Sequence, residues 1–159
     1  MKIALGVDHA AFVYKEAMRQ TIEAMGHEVL DLGTHSDASV DYPNYALAVA
    51  RAVRHGEAEL GVFLCGTGIG GMIAANKVPG IRAALCHEAF TARLSREHNN
   101  ANVLCIGARV VGLSLAEEIV RTWLTTPWSG DARHARRLQL IADAEAAAMG
   151  EGKTLQPAQ

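Results

Sequence analysis

The sequence predicts an α/β fold: three layers, with a parallel sheet of about five strands between helices, and a further helix at the C-terminus. Three observations carry this. Short apolar runs alternate along the chain with amphipathic segments of about 10–15 residues, the pattern of strand–helix–strand units. The apolar runs show no polar alternation, as befits strands covered on both faces. The chain has 159 residues, half of them hydrophobic and a fifth charged, which suits one ordinary globular domain over residues 1–149.

Residues 2–7 (KIALGV) read as the first strand, stopped by Asp8-His9. Residues 12–25 place apolar side chains at helical spacing and end at Gly26, a helix C-terminal signal. A second strand spans residues 27–32 and closes at Gly33. Residues 37–43 are a polar loop, and Pro43 suits the start of a helix running to about His55. Residues 60–65 (LGVFLC) are the third strand, followed by a glycine-rich turn, residues 66–71, into a helix reaching Lys77. After Pro79-Gly80, a strand over 81–86, a helix over 88–97, a strand over 103–106 and a helix over 113–124 complete two more units. An Ala-rich helix covers residues 131–149, and residues 150–159 are expected as a flexible tail.

Composition narrows the function. A formal net charge of -2 excludes a protein that coats nucleic acid through a basic surface. Cys65, Cys86 and Cys105 cannot all pair with one another, and none forms a CxxC motif, so free thiols in a reducing cytoplasm are expected. The N-terminal apolar run breaks at Asp8 and does not read as a signal peptide. No apolar stretch approaches the ~18 residues of a membrane span.

In an open parallel sheet, ligands bind outside the carboxyl ends of the strands, which directs attention to Asp8-His9, residues 65–71, 86–88 and 107–109. The segment Cys65-Gly66-Thr67-Gly68-Ile69-Gly70-Gly71 offers backbone amides ahead of a helix, an anion cradle. A phosphate-binding GxxxxGK loop fails, because Met72 stands where lysine is required. A dinucleotide GxGxxG fits Gly66, Gly68 and Gly71, with Glu88 about twenty residues on. An anion hole beside a reactive thiol, or a turn needed only for packing, fits as well. Cys65 ends an apolar strand, where a thiol is often inert, yet it precedes a helix start whose dipole favours a thiolate. Cys86 and Cys105 read as packing residues.

His9 lies in the binding crevice beside Asp8, whereas His27, His35 and His55 read as surface residues. His98 belongs to a polar cluster, Arg96-Glu97-His98-Asn99-Asn100, in which the asparagines suit a turn and the imidazole suits proton transfer near neutrality. No HxH or HExxH spacing supports a metal on Asp8, His9 and His98. Arg109 follows the fifth strand. Arg133 and Arg137, four residues apart, share a face at the start of the last helix, where a cation is unfavourable unless an anion compensates it. Such a pair suits a phosphate or forms a solvated basic face.

The segments GVDHAAF, DYPNYA, CGTGIGGMIAANKVPGIRAAL, SREHNNANVLCIGARVVG and RHARRL, spread in order over residues 1–149, resemble the type B ribose-5-phosphate isomerase family, whose wider group includes galactose-6-phosphate and allose-6-phosphate isomerases. The resemblance implies a Rossmann-like α/β sandwich working as a homodimer or homotetramer, with an aldose–ketose isomerisation that uses neither metal nor cofactor. It implies Cys65 as the base between C1 and C2, Thr67 orienting it or hydrogen-bonding the substrate, and the amides of Gly66, Gly68, Gly70 and Gly71 holding the enediolate oxygen. His98 would open the furanose ring and Asp8 would move protons on the sugar oxygens. Tyr42 and Asn99 would contact the sugar. His9, Arg109, Arg133 and Arg137 would bind the phosphate, some of them from the neighbouring subunit. A second branch of the family has serine in place of Cys65 and a glutamate base in place of Gly71, a route closed to this chain.

The chemistry is coherent: fixed amides stabilise the oxyanion formed when a proton leaves the carbon next to a carbonyl, and a thiolate titrating near neutrality suits the base. Ribose 5-phosphate and ribulose 5-phosphate are the expected pair. The alternatives are a hexose or tetrose phosphate (allose 6-phosphate, galactose 6-phosphate, an erythrulose phosphate), or a dinucleotide-binding module.

Overall fold

The computed structural model describes residues 1–150 and forms a five-stranded, all-parallel sheet. Its strands are β1 (Lys2–Val7), β2 (Glu28–Asp31), β3 (Leu60–Cys65), β4 (Ala83–Leu85) and β5 (Val103–Gly107), in the order β2-β1-β3-β5-β4. Helices α1 (Lys15–Ala24), α2 (Tyr42–Arg54), α3 (Ile69–Ala75), α4 (Ala89–Glu97) and α5 (Leu113–Thr125) connect and follow the strands. The sheet and these helices form one compact unit, Met1–Ser129; a second begins at Gly130 and holds α6 (Ala132–Gly150). Residues 151–159, where the tail is expected, lie outside the described residues.

Side-chain alternation along the central strands builds two cores. Ile3, Leu5 and Val7 of β1, Val62 and Leu64 of β3, and Leu104 and Ile106 of β5 face Met18, Ile22, Ile119 and Trp123 of α1 and α5. On the opposite face Ala4, Phe63, Cys65, Val103 and Cys105 meet Ala46, Val49 and Ala50 of α2 and Ala75 of α3. Both faces are therefore covered, which is why the strands carry no polar alternation. Each large side chain buried this way contributes roughly 1.5–3 kcal/mol.

Differences from the sequence reading have local causes. In place of one helix over residues 12–25, a 3-10 turn runs from His9 to Tyr14 before α1. The Asp8 carboxylate accepts from the Ala10 and Ala11 amides at 2.9 and 3.1 Å, so the coil starts earlier and tighter. Strand β4 is three residues long, because the side chains of Asn102 and Asn76 take the amides of Arg82 and Ala83. Asn76 likewise ends α3 before Lys77. Among the described residues, no helix is long and apolar enough to cross a membrane.

The strand order places the first connection, to β2, on one side of β1, and then crosses to β3 on the other. The loops after β1 and β3 diverge at this switch point and leave a crevice between them.

Candidate active site

The crevice is an open cleft of about 510 Å³, lined by Asp8, His9, Tyr42, Cys65, Gly66, Thr67, Gly70 and Arg109, with Ala10, Ile69 and Ile73 completing the wall. Asp8 leaves the end of β1, its amide bonded to the Leu64 carbonyl at 3.1 Å, and it is buried. One carboxylate oxygen caps the 3-10 turn. Next to it, His9 Nδ1 accepts the Val40 amide at 3.2 Å. That bond leaves Nε2 as the nitrogen carrying the proton, a donor for an anion.

Cys65 closes β3 with 4% of its surface exposed. Its Sγ accepts the Gly68 amide at 3.2 Å, and the Gly71 and Thr67 amides also act on it. Burial pushes the thiol above its ordinary value, and the negative charge of Asp8 adds to the rise; the three amides oppose both. A thiolate titrating near neutrality is the expectation from sequence, and the free site departs from it because desolvation outweighs the amides. Cys86 and Cys105 are buried in the two cores, and desolvation raises both thiols.

The glycines are dictated by neighbours. Gly68 turns the chain with φ of 77°, and a β-carbon there would lie 2.4 Å from Leu85 Cδ1 and 2.9 Å from the Ile106 carbonyl carbon. At Gly70 a β-carbon would fall 2.5 Å from the Tyr42 ring, so that ring rests directly on the loop. At Gly71 it would fall 2.4 Å from Phe63 Cδ1, which closes the position to a glutamate side chain. Thr67 Oγ1 accepts the Ile69 amide at 3.4 Å. Arg109 donates its amide to the Gly66 carbonyl at 2.9 Å, and its side chain passes over Gly66.

His98 and Asn99 lie elsewhere. They follow α4, and the succeeding residue Asn102 bonds Gly80, Arg82 and Gly61, which mark the amino edge of the sheet. Val103 pairs with Gly61 and Gly107 with Cys65, so this edge is about 13 Å from the thiol along the strands at ~3.3 Å per residue. The weighed metal set of Asp8, His9 and His98 is not assembled within the chain, and no other group of three metal-ligating side chains comes together among the described residues. Arg133 and Arg137 are exposed on α6 in the second unit, Arg133 3.8 Å from Asp131. Glu88 caps α4, accepting the Thr91 and Phe90 amides at 2.8 and 2.5 Å, so it is spent on the helix and not placed for a ribose. The glycine loop follows β3, not β1, which removes the remaining support for a dinucleotide fingerprint.

Sequence reasoning missed Val40, which orients His9, and the exposed pair Ile69 and Ile73 on the cleft wall. The spacing of four in that pair was its available signal.

A switch-point cleft that sets a buried thiol, a carboxylate and an amide cradle beside cationic and imidazole donors is the equipment of an α/β enzyme that transfers protons on an anionic substrate. Residues 3–141 match the ribose/galactose isomerase family. The chain is 49% identical over 140 residues to ribose-5-phosphate isomerase B of Escherichia coli, covering 88% of this chain and 93% of that one. It is 43% identical over 150 residues to D-erythrulose-4-phosphate isomerase 2 of Mycolicibacterium smegmatis, covering 92% and 99%. The solved ribose-5-phosphate isomerase B of Clostridium thermocellum superposes with a TM-score of 0.90 at 51% identity, over 93% of this chain and 99% of that one. The chain belongs to the ribose/galactose isomerase family and is an aldose–ketose isomerase.

Proposed function

We propose that the protein interconverts ribose 5-phosphate and ribulose 5-phosphate through an enediolate. The observation that carries this reading is the Cys65 Sγ, held 3.2 Å from the Gly68 amide beside Asp8, with His9 and Arg109 on the same cleft. The ring of the aldose opens first, with His98 as the proton-transferring group. The Cys65 thiolate then removes the C2 proton, and the electron pair moves onto the carbonyl oxygen at C1. Loop amides from Gly66 to Gly71 stabilise that oxygen, a device typically worth about 2.7–4 kcal/mol per donor. Asp8 passes the O2 proton to O1, and the Cys65 thiol returns its proton to C1. His9 Nε2 and Arg109 hold the phosphate away from the reacting carbons, so binding energy is used without disturbing the chemistry.

His98 and Asn99 stand at the opposite edge of the sheet from Cys65, which supports an assembly whose sites are completed by a neighbouring subunit. Arg133 and Arg137 join the phosphate site in the same way in this reading. The exposed Ile69 and Ile73 beside the cleft suit such a contact. The substrate is a small sugar phosphate, with no nucleic acid or membrane involved, and the reaction belongs to cytoplasmic pentose phosphate metabolism.

The erythrulose-phosphate relative favours a second reading, a four-carbon substrate, since its similarity extends along the same length of chain. A panel of four-, five- and six-carbon aldose and ketose phosphates separates the two. Ribose 5-phosphate should give the highest kcat/KM, and a tetrose phosphate exceeding it would replace this reading.

A further inference from the structure

The turn after α4 is anchored more firmly than a surface turn requires. Asn100 holds a left-handed φ of 45°, uncommon for a residue other than glycine. Its amide donates to the Arg96 carbonyl at 3.0 Å, the Ala101 amide donates to the Ser95 carbonyl at 2.9 Å, and Arg82 Nε donates to the Asn100 carbonyl at 2.9 Å. Across this turn lies the Arg96 guanidinium. Its Nη1 donates to the Ala101 carbonyl at 2.5 Å and to Asn100 Oδ1 at 3.3 Å.

The guanidinium carbon sits 5.3 Å from the ring centre of Trp123, a fully buried side chain of α5. Trp123 Nε1 in turn donates to Ser95 Oγ at 3.1 Å, and Ser95 Oγ donates to the Ala92 carbonyl at 2.8 Å. Arg96 forms no ion pair among the described residues, and its buried Nε makes no hydrogen bond. Burial first, and the charge of Arg82 second, push its pKa down. Holding a half-buried cation without a carboxylate costs free energy, so a purely structural anchor would be better made of neutral groups. A planar guanidinium, by contrast, lies flat over an indole while its edge donates to the turn, a stacked geometry that an ammonium does not reproduce. Between Arg96 and Asn100 stand Glu97, His98 and Asn99.

We propose that Arg96 is a positioning residue: held against the Trp123 indole, it locks the turn over residues 98–101 so that His98 and Asn99 are presented in one geometry to the substrate. This rests on the reading of His98 as the ring-opening group of a shared site. Ring opening is the step that it should govern.

The test separates that step from enolisation. Conversion of ribose 5-phosphate requires the furanose to open. Exchange of a C1 proton of ribulose 5-phosphate with D2O does not, because the esterified O5 cannot close a five-membered ring on C2 and the ketose is already open. In full-length Arg96→Ala, kcat for ribose 5-phosphate should fall about 10²-fold, the lower end of what acid–base groups contribute. Exchange at saturating ribulose 5-phosphate should stay near the wild-type rate. Arg96→Lys, which keeps the charge and most of the stem, should show the same split with a smaller loss, and it carries the test if the alanine variant lacks a native circular dichroism spectrum and cooperative melting. A parallel fall in both assays, or no fall in either, overturns the proposal. A wild-type protein that neither converts nor exchanges would instead overturn the ribose 5-phosphate reading on which the proposal rests.

Discussion

Gly71→Ala tests how the cradle is built. A β-carbon at this position would lie 2.4 and 2.5 Å from Cδ1 and Cε1 of Phe63, against an ordinary carbon–carbon contact of about 3.5–4.0 Å. Either the ring or the start of α3 must therefore retreat by about 1 Å or more. Phe63 is fully buried among Val49, Val103 and Cys105, so the ring has little space to yield. Overpacking of this kind costs roughly 1–3 kcal/mol, and each kcal/mol lowers Tm by about 2–4 °C at this chain length. Displacing α3 also moves the Gly71 amide away from Cys65, which leaves the thiolate less stabilised, so kcat should fall within the roughly 10²–10⁴-fold that a general base contributes. Thermal melting and steady-state isomerisation measure the two effects. Phe63→Leu added to Gly71→Ala should recover much of both, giving a favourable coupling in the double-mutant cycle. A Gly71→Ala protein with wild-type Tm and kcat would refute the reasoning, as would a double variant no better than the sum of its parts.

Because burial and Asp8 raise the Cys65 thiol, alkylation of Cys65 by iodoacetamide in the free enzyme should climb with pH past the ordinary thiol value of roughly 8.5. The same shift stabilises the fold below that value, and the contribution is lost as pH rises, since the unfolded thiol ionises first. An alkylation midpoint below the ordinary value would show that the amides win over desolvation. Cys65→Ala should lose about 10²–10⁴-fold in turnover. If sites are shared, mixing it with His98→Ala under conditions of subunit exchange should restore up to about a quarter of wild-type activity, since half the dimers are mixed and each has one intact site. No recovery despite demonstrated exchange would remove His98 from the site that holds Cys65.

The strand–helix alternation, the buried character of β1, β3 and β5, and the glycine turn after β3 are all readable from the residues alone. These follow from local demands: apolar runs that need two covered faces, and glycines where the chain turns back. The cleft residues Asp8, His9, Cys65 and Arg109 were legible because strand ends in a parallel sheet point to one edge. Short-range competition with the backbone blurred the boundaries, as at Asp8, whose carboxylate captures two amides, and at Asn76, which stops α3. The remaining features depend on strand order and on contacts between distant segments. Tyr42 covers Gly70, Phe63 fills the space behind Gly71, and burial raises the Cys65 thiol, with Asp8, 57 residues away along the chain, adding to the rise. His98 and Asn99 sit at the far edge of the sheet because α4 runs back against its strand, a geometry invisible in the polar cluster itself. Periodicity reports how each segment meets its immediate surroundings; which segments become those surroundings is settled by the order in which the strands pair.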